Sequence, residues 1–300
     1  MNFAPIVLFT YNRPWHTRQT IEALQKNELA CGSELFIFSD APKNENAVEK
    51  VNEIREYIKN IDGFKKITII ERDKNWGLAN SIIDGVTKVV NEYGKIIVLE
   101  DDLVTSPYFL RFMNEALEMY KDEPKVASIH GYIYPIEGLP KAFFIKGADC
   151  WGWATWREKW SIFEPDGHKL LDELNKRRLQ KEADFNNSYG FTKMLKDQIK
   201  GKNNSWAIRW YMSAFLKDML TLYPGQSYVH NIGLDGEGTH CSATNQFDVI
   251  LQNNYIMHRI EIKENMLAKA KIEQFFKSLS ANIIQKVKKY LRKLFHEKNS

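Results

Sequence analysis

Over its first hundred residues the chain alternates short, unbroken apolar runs with longer stretches in which apolar residues recur every three or four positions. The runs 5–10 (PIVLFT), 34–39 (ELFIFS), 66–70 (KITII) and 96–99 (IIVL) lack a steady polar alternation. That is the mark of strands buried on both faces of a parallel sheet. The stretches between them predict helices over about 15–29, with Ile21 and Leu24 on the inner face, over 46–60, and over 78–91. The last is entered through the turn Asn75-Trp76-Gly77. Such alternation builds a doubly wound α/β unit. Right-handed crossovers then gather the strand carboxyl ends on one edge of the sheet, where folds of this kind bind ligands.

The fourth run ends abruptly in Glu100-Asp101-Asp102. Three adjacent acids repel one another, and hard carboxylate oxygens suit Mg²⁺ or Mn²⁺, so one reading is a divalent-cation site. The other is a solvated acidic turn before a helix that begins near Pro107, capped by Asp102 or Ser106. After the first strand, Thr10, Asn12 and Arg13 offer a hydroxyl, an amide and a fork-shaped cation suited to a base edge or a pyrophosphate. Asn12 equally suits a helix cap. Asp40, after the second strand, can accept from ribose hydroxyls or a uracil N–H, or simply make a turn with Ala41 and Pro42. There is no GxGxxG and no GxxxxGK followed by Ser or Thr, so neither a dinucleotide fingerprint nor a P-loop is present.

Three hundred residues suffice for one large domain or two intimately packed ones. Aromatic residues make up 13% and include eight Trp, four of them at 151, 153, 156 and 160. Trp153, Trp156 and Trp160 have the spacing of one helical face turned to a core. Trp151, beside Gly152, is the candidate sugar platform, and Trp206 to Trp210 (WAIRW) is expected to open a helix facing the same cleft. Cys31, Cys150 and Cys241 are scattered with no CxxC, against a disulfide framework or zinc site and in favour of a reducing compartment. The amino-terminal MNFAPIVLFT lacks the features of a signal peptide, and no stretch has the ~20 apolar residues of a membrane span. The expected location is therefore cytoplasmic.

Of the net charge of +4, residues 263–300 carry +7, with ten Lys/Arg against Glu264, Glu273 and Glu297, so the remainder carries −3. Nucleic-acid binders carry their basic charge around the working surface, and a basic tail argues against such a partner. From about 265 onward Ile272, Phe275, Phe276, Leu279, Ile283, Ile284, Val287, Leu291 and Leu294 recur at helical spacing between the lysines. One reading is a basic amphipathic helix on an anionic membrane, placing the protein peripherally on the cytoplasmic face. A chain ending near Asn265 is then expected to stay folded. The other reading is packing on the body or on a partner.

The ordered segments VLFTYNRP, FSDAP, NWGLANSI and IIVLEDDLVTSPYFLRFMNEAL resemble the nucleotide-sugar-binding half of GT-A fold glycosyltransferases. They are most similar to the N-acetylglucosaminyltransferase I-like group and family 2-like bacterial enzymes. The resemblance covers residues 3 to about 120 well and extends less closely through 147–160 and 206–241. It implies an α/β, Rossmann-like mixed sheet with helices on both faces. The nucleotide-sugar half would occupy 1–105 and the acceptor half 106–260 of one domain, with the amphipathic helical tail over 261–300.

By that resemblance Thr10, Asn12, Arg13 and Asp40 hold the nucleotide, and Asn75 and Gly77 lie beside the sugar diphosphate. Asp101 contacts ribose or donor sugar, Glu100 orients the site, and Asp102 ligates Mn²⁺ or Mg²⁺, with His240 as a second metal-ligand candidate. The implied reaction is metal-dependent transfer, with inversion, from a UDP- or GDP-sugar to a glycan or lipid-linked saccharide. Trp151 and Trp206 would face that acceptor. The chain departs from the pattern at Ala207, where the group carries the Asp that acts as base. Asp149 and Asp235 are the substitutes, the latter in a glycine-rich loop expected to close over the donor. Two alternatives remain open: a carbohydrate-binding protein that kept the fold and lost turnover, and a sugar nucleotidyltransferase. Against the second, no basic glycine-rich loop follows the first strand.

Overall fold

The computed structural model describes residues 3–236, 244–255 and 257–279. Its first half runs β1 (Ile6–Thr10), α1 (Pro14–Gln25), β2 (Glu34–Ser39), α2 (Val48–Lys59), β3 (Lys66–Glu71), α3 (Leu78–Tyr93) and β4 (Lys95–Glu100). β3, β2, β1 and β4 lie side by side and parallel, with Ile6 opposite Leu35 and Ile97. Side-chain alternation sends Ile6, Leu8, Leu35, Ile37, Ile97 and Leu99 to one face, against Ile21 and Leu24 of α1 and Ile54 of α2. Val7, Phe9, Phe36, Phe38 and Val98 go to the other, against Ile82, Val86 and Val89 of α3. Both faces are covered, which is why these strands are apolar without interruption.

The chain continues through β5 (Leu103–Thr105), α4 (Phe109–Met119), β6 (Val126–His130), β7 (Ala142–Lys146), β8 (Trp153–Trp156), α5 (Arg157–Trp160), α6 (Gly167–Lys176), α7 (Gln180–Ala183), α8 (Phe191–Ile199), α9 (Trp206–Leu216), β9 (Leu220–Pro224) and β10 (Val229–Asn231). One eight-stranded sheet runs β3-β2-β1-β4-β8-β6-β9-β7, and β5 pairs with β10 in a separate antiparallel ribbon. β8 is antiparallel to both β4 and β6, and β7 to β9, so the sheet is mixed.

Four local expectations are corrected. The first helix stops at Gln25 rather than near 29. There Asn27 donates through Nδ2 to the Ala23 carbonyl and accepts the Leu110 N–H, diverting the backbone from further helix. The acidic turn does not cap the helix, because β5 intervenes and α4 begins at Phe109; it is Ser106 and not Asp102 whose side chain serves the helix entry, its Oγ accepting the Tyr108 N–H at 3.2 Å. Trp153 and Trp156 do not share a helical face. They lie on a four-residue strand, so Trp153 points to the α3 and α9 side and Trp156 to the α4 side, where its Nε1 donates to the Leu117 carbonyl at 3.2 Å.

The fourth correction concerns the tail. Residues 266–279 form a helix, α10, whose Ala268, Ile272, Phe276 and Leu279 are buried beside Phe143 of β7 and Tyr211 of α9. The Asn265 N–H donates to the Phe144 carbonyl at 2.9 Å. A chain cut near Asn265 would strip this apolar face from the body, contrary to the expectation that it would stay folded. Residues 280–300 lie outside the described residues. No described helix is long and apolar enough to cross a membrane.

Candidate active site

The loop after β1 brings Tyr11, Asn12 and Arg13 to the end of β4. Pro14 opens α1, and Arg13 is its flanking residue with no side-chain cap bond, so Asn12 is not the helix cap. The Tyr11 N–H donates to Asp101 Oδ2 at 3.2 Å, and Arg13 Nη1 pairs with Asp102 Oδ2 at 2.9 Å. Thr10 is buried, and its hydroxyl has no hydrogen-bond partner among the described residues. A buried orphan hydroxyl is costly and marks a place where a ligand would supply the partner.

Asp40 has a different occupation. Its Oδ1 accepts the N–H groups of Ala41 and Trp76, each at 2.9 Å. Its Oδ2 accepts the Gly77 N–H at 2.9 Å and the Asn75 side-chain amide at 3.2 Å. An ionised carboxylate offers about four acceptor positions, and all are spent on stapling the end of β2 to the turn into α3. The expectation that Asp40 accepts from ribose or a uracil N–H is thereby corrected. Asn75 also serves the staple, donating to the Ala41 carbonyl at 2.8 Å. Gly77 makes the turn at φ +71°, and the space where its Cβ would stand is open.

Glu100, Asp101 and Asp102 form an electrostatically unsettled group. Burial and repulsion from its two neighbours push Glu100 well above the usual carboxylate range. Burial and then Asp102 push Asp101 up to about 7. Burial also raises Asp102, although Arg13 and His16 oppose the shift. Among the described residues the guanidinium paired with the group is that of Arg13, on Asp102.

A loop from β10 lies against this group. The Ile232 N–H donates to the Asp102 carbonyl at 2.9 Å. A Cβ on Gly233 would stand 2.0 Å from Asp102 Oδ2, so only glycine allows so close an approach. Asp235 follows, pairing with Arg13 Nη2 at 3.3 Å and with His16 Nε2 at 2.8 Å. His16 is buried and also lies 2.6 Å from Arg13 Nη2. Arg13 thus joins the acids of β4 to the loop of β10. His240 lies outside the described residues.

Asp149, in the loop between β7 and β8, lines a cavity of about 260 Å³ together with Cys150, Trp151, Ala207, Tyr223 and Leu234. Its Oδ1 accepts the Cys150 N–H at 2.8 Å, and the Tyr223 hydroxyl donates to Oδ2 at 3.4 Å. Burial pushes the Cys150 thiol well up, and Asp149, Glu100 and Asp102 add to the shift. Leu234 lines the same cavity and ties it to the Gly233–Asp235 loop that lies against Asp102. Trp151 lies edge-on to Tyr132, with ring centres 4.7 Å apart. Trp206 does not line this cavity. It is buried and stacked on Trp153 at 5.4 Å, so its expected place facing the acceptor is corrected to a place in the core.

The profile of glycosyl transferase family 2 matches residues 6–220, which spans the whole edge from β1 to β9. The chain belongs to glycosyltransferase family 2. Its mixed sheet, with helices on both faces, is the GT-A fold that the sequence segments implied. No curated protein sequence matches the chain.

Solved structures that align with it include a mannosyltransferase from Pyrobaculum calidifontis in complex with GDP-Man and Mn²⁺ (10% identity, 44% of this chain and 36% of that one, TM-score 0.34). Another is residues 1–349 of S. aureus TarS (12% identity, 54% and 48%, TM-score 0.36). A third is a UDP-glucose pyrophosphorylase complexed with UDP-glucose (13% identity, 76% and 93%, TM-score 0.40). The chain spans about a third and a half of the first two, and all three are too distant to add to the assignment.

Within this family 2 chain, the fit of a divalent cation rests on the donor set at the end of β4. Hard carboxylate oxygens with uncompensated charge are what Mn²⁺ or Mg²⁺ takes when substrate phosphates complete its coordination. Among the described residues no group of three or more His, Cys, Asp or Glu is arranged to enclose a metal. Of the expected residues, the fold brings Thr10, Arg13, Asp101, Asp102 and Asp235 together, while Asp149 and Trp151 line the cavity. His16 is the neighbour that sequence reasoning missed. Its one signal was its position, three residues after Arg13 in the first turn of α1.

Proposed function

We propose that this chain is a metal-dependent glycosyltransferase that moves a sugar, with inversion, from a nucleoside-diphosphate sugar to a hydroxyl of a glycan or lipid-linked saccharide. The observation that carries the reading is the destabilised acid group at the end of β4, set against a cavity that holds one further carboxylate. A bound Mn²⁺ or Mg²⁺ would supply counter-charge to the departing diphosphate. Asp102, with Asp101 beside it, is the group that would hold it. Arg13 is placed to share the phosphate charge, and the Thr10 hydroxyl and the open face of Gly77 to meet the donor at the same edge.

Asp149 is the proposed base. The family pattern's carboxylate after the first Trp is replaced by Ala207, yet Ala207 and Asp149 line the same cavity. A carboxylate from the β7–β8 loop thus stands in for one from α9. Asp235 is the weaker candidate, because Arg13 and His16 already hold both its oxygens on the donor side. Its proposed role is to latch the β10 loop over the donor, which limits water and hence hydrolysis. With Asp40 fully engaged, the choice between UDP and GDP falls to other groups of the same edge.

The test is a thermal-shift screen of UDP-, GDP- and CMP-sugars with and without Mn²⁺. Stabilisation by one nucleotide class that grows with Mn²⁺ supports the reading; stabilisation by none contradicts it. We further propose that residues 280–300, with their cluster of lysines, hold the protein to an anionic membrane. A chain ending at Leu279 should keep its fold and stop sedimenting with anionic liposomes, and equal sedimentation would refute the contact.

A further inference from the structure

The cavity beside Asp149 is rich in rings and short of hydrogen-bonding groups. Tyr132 meets Trp151 at 70° and Tyr134 at 90°, and Trp151 meets Phe247 at 83°, so four of the lining rings pack edge to face on one another. At least three of the five tyrosine hydroxyls on its lining are engaged within the protein. That of Tyr132 donates to the Phe247 carbonyl at 2.8 Å, that of Tyr211 to the Ala183 carbonyl at 2.7 Å, and that of Tyr223 to Asp149. Among the described residues no Lys, Arg or His lines it. Among the described residues the basic side chain within 4 Å of Asp149 is His130, at 3.9 Å, whose pKa burial lowers.

A hydroxyl-rich sugar buried here would give up water at several oxygens and meet mostly rings in return, and each unpaired group costs about tenfold or more in affinity. An anion would face Asp149, and the charges of Glu100 and Asp102 also act on Cys150 of the same lining. A sugar with an apolar face would instead lay its C–H groups on Trp151 and keep one hydroxyl for Asp149. Resting on the reading of this cavity as the acceptor site, we propose that the residue entering it is an uncharged, hydroxyl-poor saccharide, with a deoxy, O-methyl or N-acyl face. Phosphate and carboxylate groups of the acceptor stay outside.

Three matched methyl glucosides, the 6-deoxy, 6-hydroxy and 6-phosphate forms, test this on the full chain by saturation-transfer NMR and titration. The 6-deoxy sugar should bind at least about tenfold tighter than the 6-phosphate, with saturation on its methyl and ring C–H protons. Trp151→Ala should remove that binding. Phe247→Ala, on a half-buried loop residue, makes the same test should the first variant fold poorly. Equal or tighter binding of the 6-phosphate overturns the inference. So does an absence of 6-deoxy binding, or binding that survives both substitutions. Titration of a nucleoside diphosphate with Mn²⁺ in parallel separates the two readings. If the nucleotide binds while the cavity prefers the phosphate, this inference falls alone; if the nucleotide does not bind, the donor reading falls.

Discussion

Strands β2 and β4 both end in acid on the same edge of the sheet, and the two ends behave in opposite ways. Asp40 is buried and receives four N–H donors, three of them backbone, so its charge is spent within the protein. Asp101 and Asp102 accept one N–H and one guanidinium from neighbouring side chains and backbone, and they repel each other and Glu100. The first carboxylate is a structural staple; the second group keeps acceptor positions open, which the proposed function fills with a cation. Position at a strand end does not by itself distinguish binding from bracing. Satisfaction of the acceptor positions does.

The division between working and bracing carboxylates has consequences of graded size. The largest falls on Asp149, which the proposed function puts with the working set. Asp149→Asn should lower turnover by about 10²–10⁴-fold with nucleotide affinity unchanged, measured by steady-state kinetics beside donor titration. Wild-type turnover would remove Asp149 from the set. Asp40→Ala should do the reverse, leaving chemistry to fail only as the fold does. With the Trp76 and Gly77 N–H groups orphaned, stability should drop by about 3 kcal/mol in urea unfolding. A fully stable variant that has lost nucleotide binding would put Asp40 back among the ligand-binding groups.

The smallest effect is one of pH. Carboxyl groups whose pKa is raised in the folded state hold protons that the unfolded chain has released, so stability falls as pH rises through the interval between the two values. For Asp101 that interval runs from the ordinary carboxylate range to about 7, with Glu100 and Asp102 shifted in the same direction. The metal-free protein should therefore melt lower at pH 8 than at pH 5, and Asp101→Asn should flatten the slope. A melting temperature that rises over this interval in the native chain, and is unchanged by the substitution, would mean that the acids are already compensated.

The parallel strands, their helices and the acid cluster were legible because each is a local pattern of a few consecutive residues. The role of Asp40 was not. Its partners at Asn75, Trp76 and Gly77 arrive from across α2 and β3, and a sequence shows an acid after a strand without showing how many donors reach it. The short strand β8 was hidden for another reason. Trp153 and Trp156 fit a helical spacing as well as opposite faces of a strand, and four residues give too few alternations to decide. The cavity was the least legible feature. Tyr132, Trp151, Ala207, Phe247 and Phe276 come from five separate segments, and no one of them carries a signal of the others. Trp151 could be picked out beside Gly152, whereas Trp206 looked equally available until its ring was found stacked on Trp153.

The central claim is that the acids of β4 hold a cation and the donor's phosphates together. Calorimetric titration of the nucleoside diphosphate chosen by the screen, with and without Mn²⁺, tests it on the wild-type chain and Asp102→Asn. The wild type should bind at least about 10²-fold tighter with Mn²⁺, and Asp102→Asn should lose this gain while melting no lower than the wild type. Nucleotide affinity that is the same in both chains, or the same with and without Mn²⁺, would contradict it.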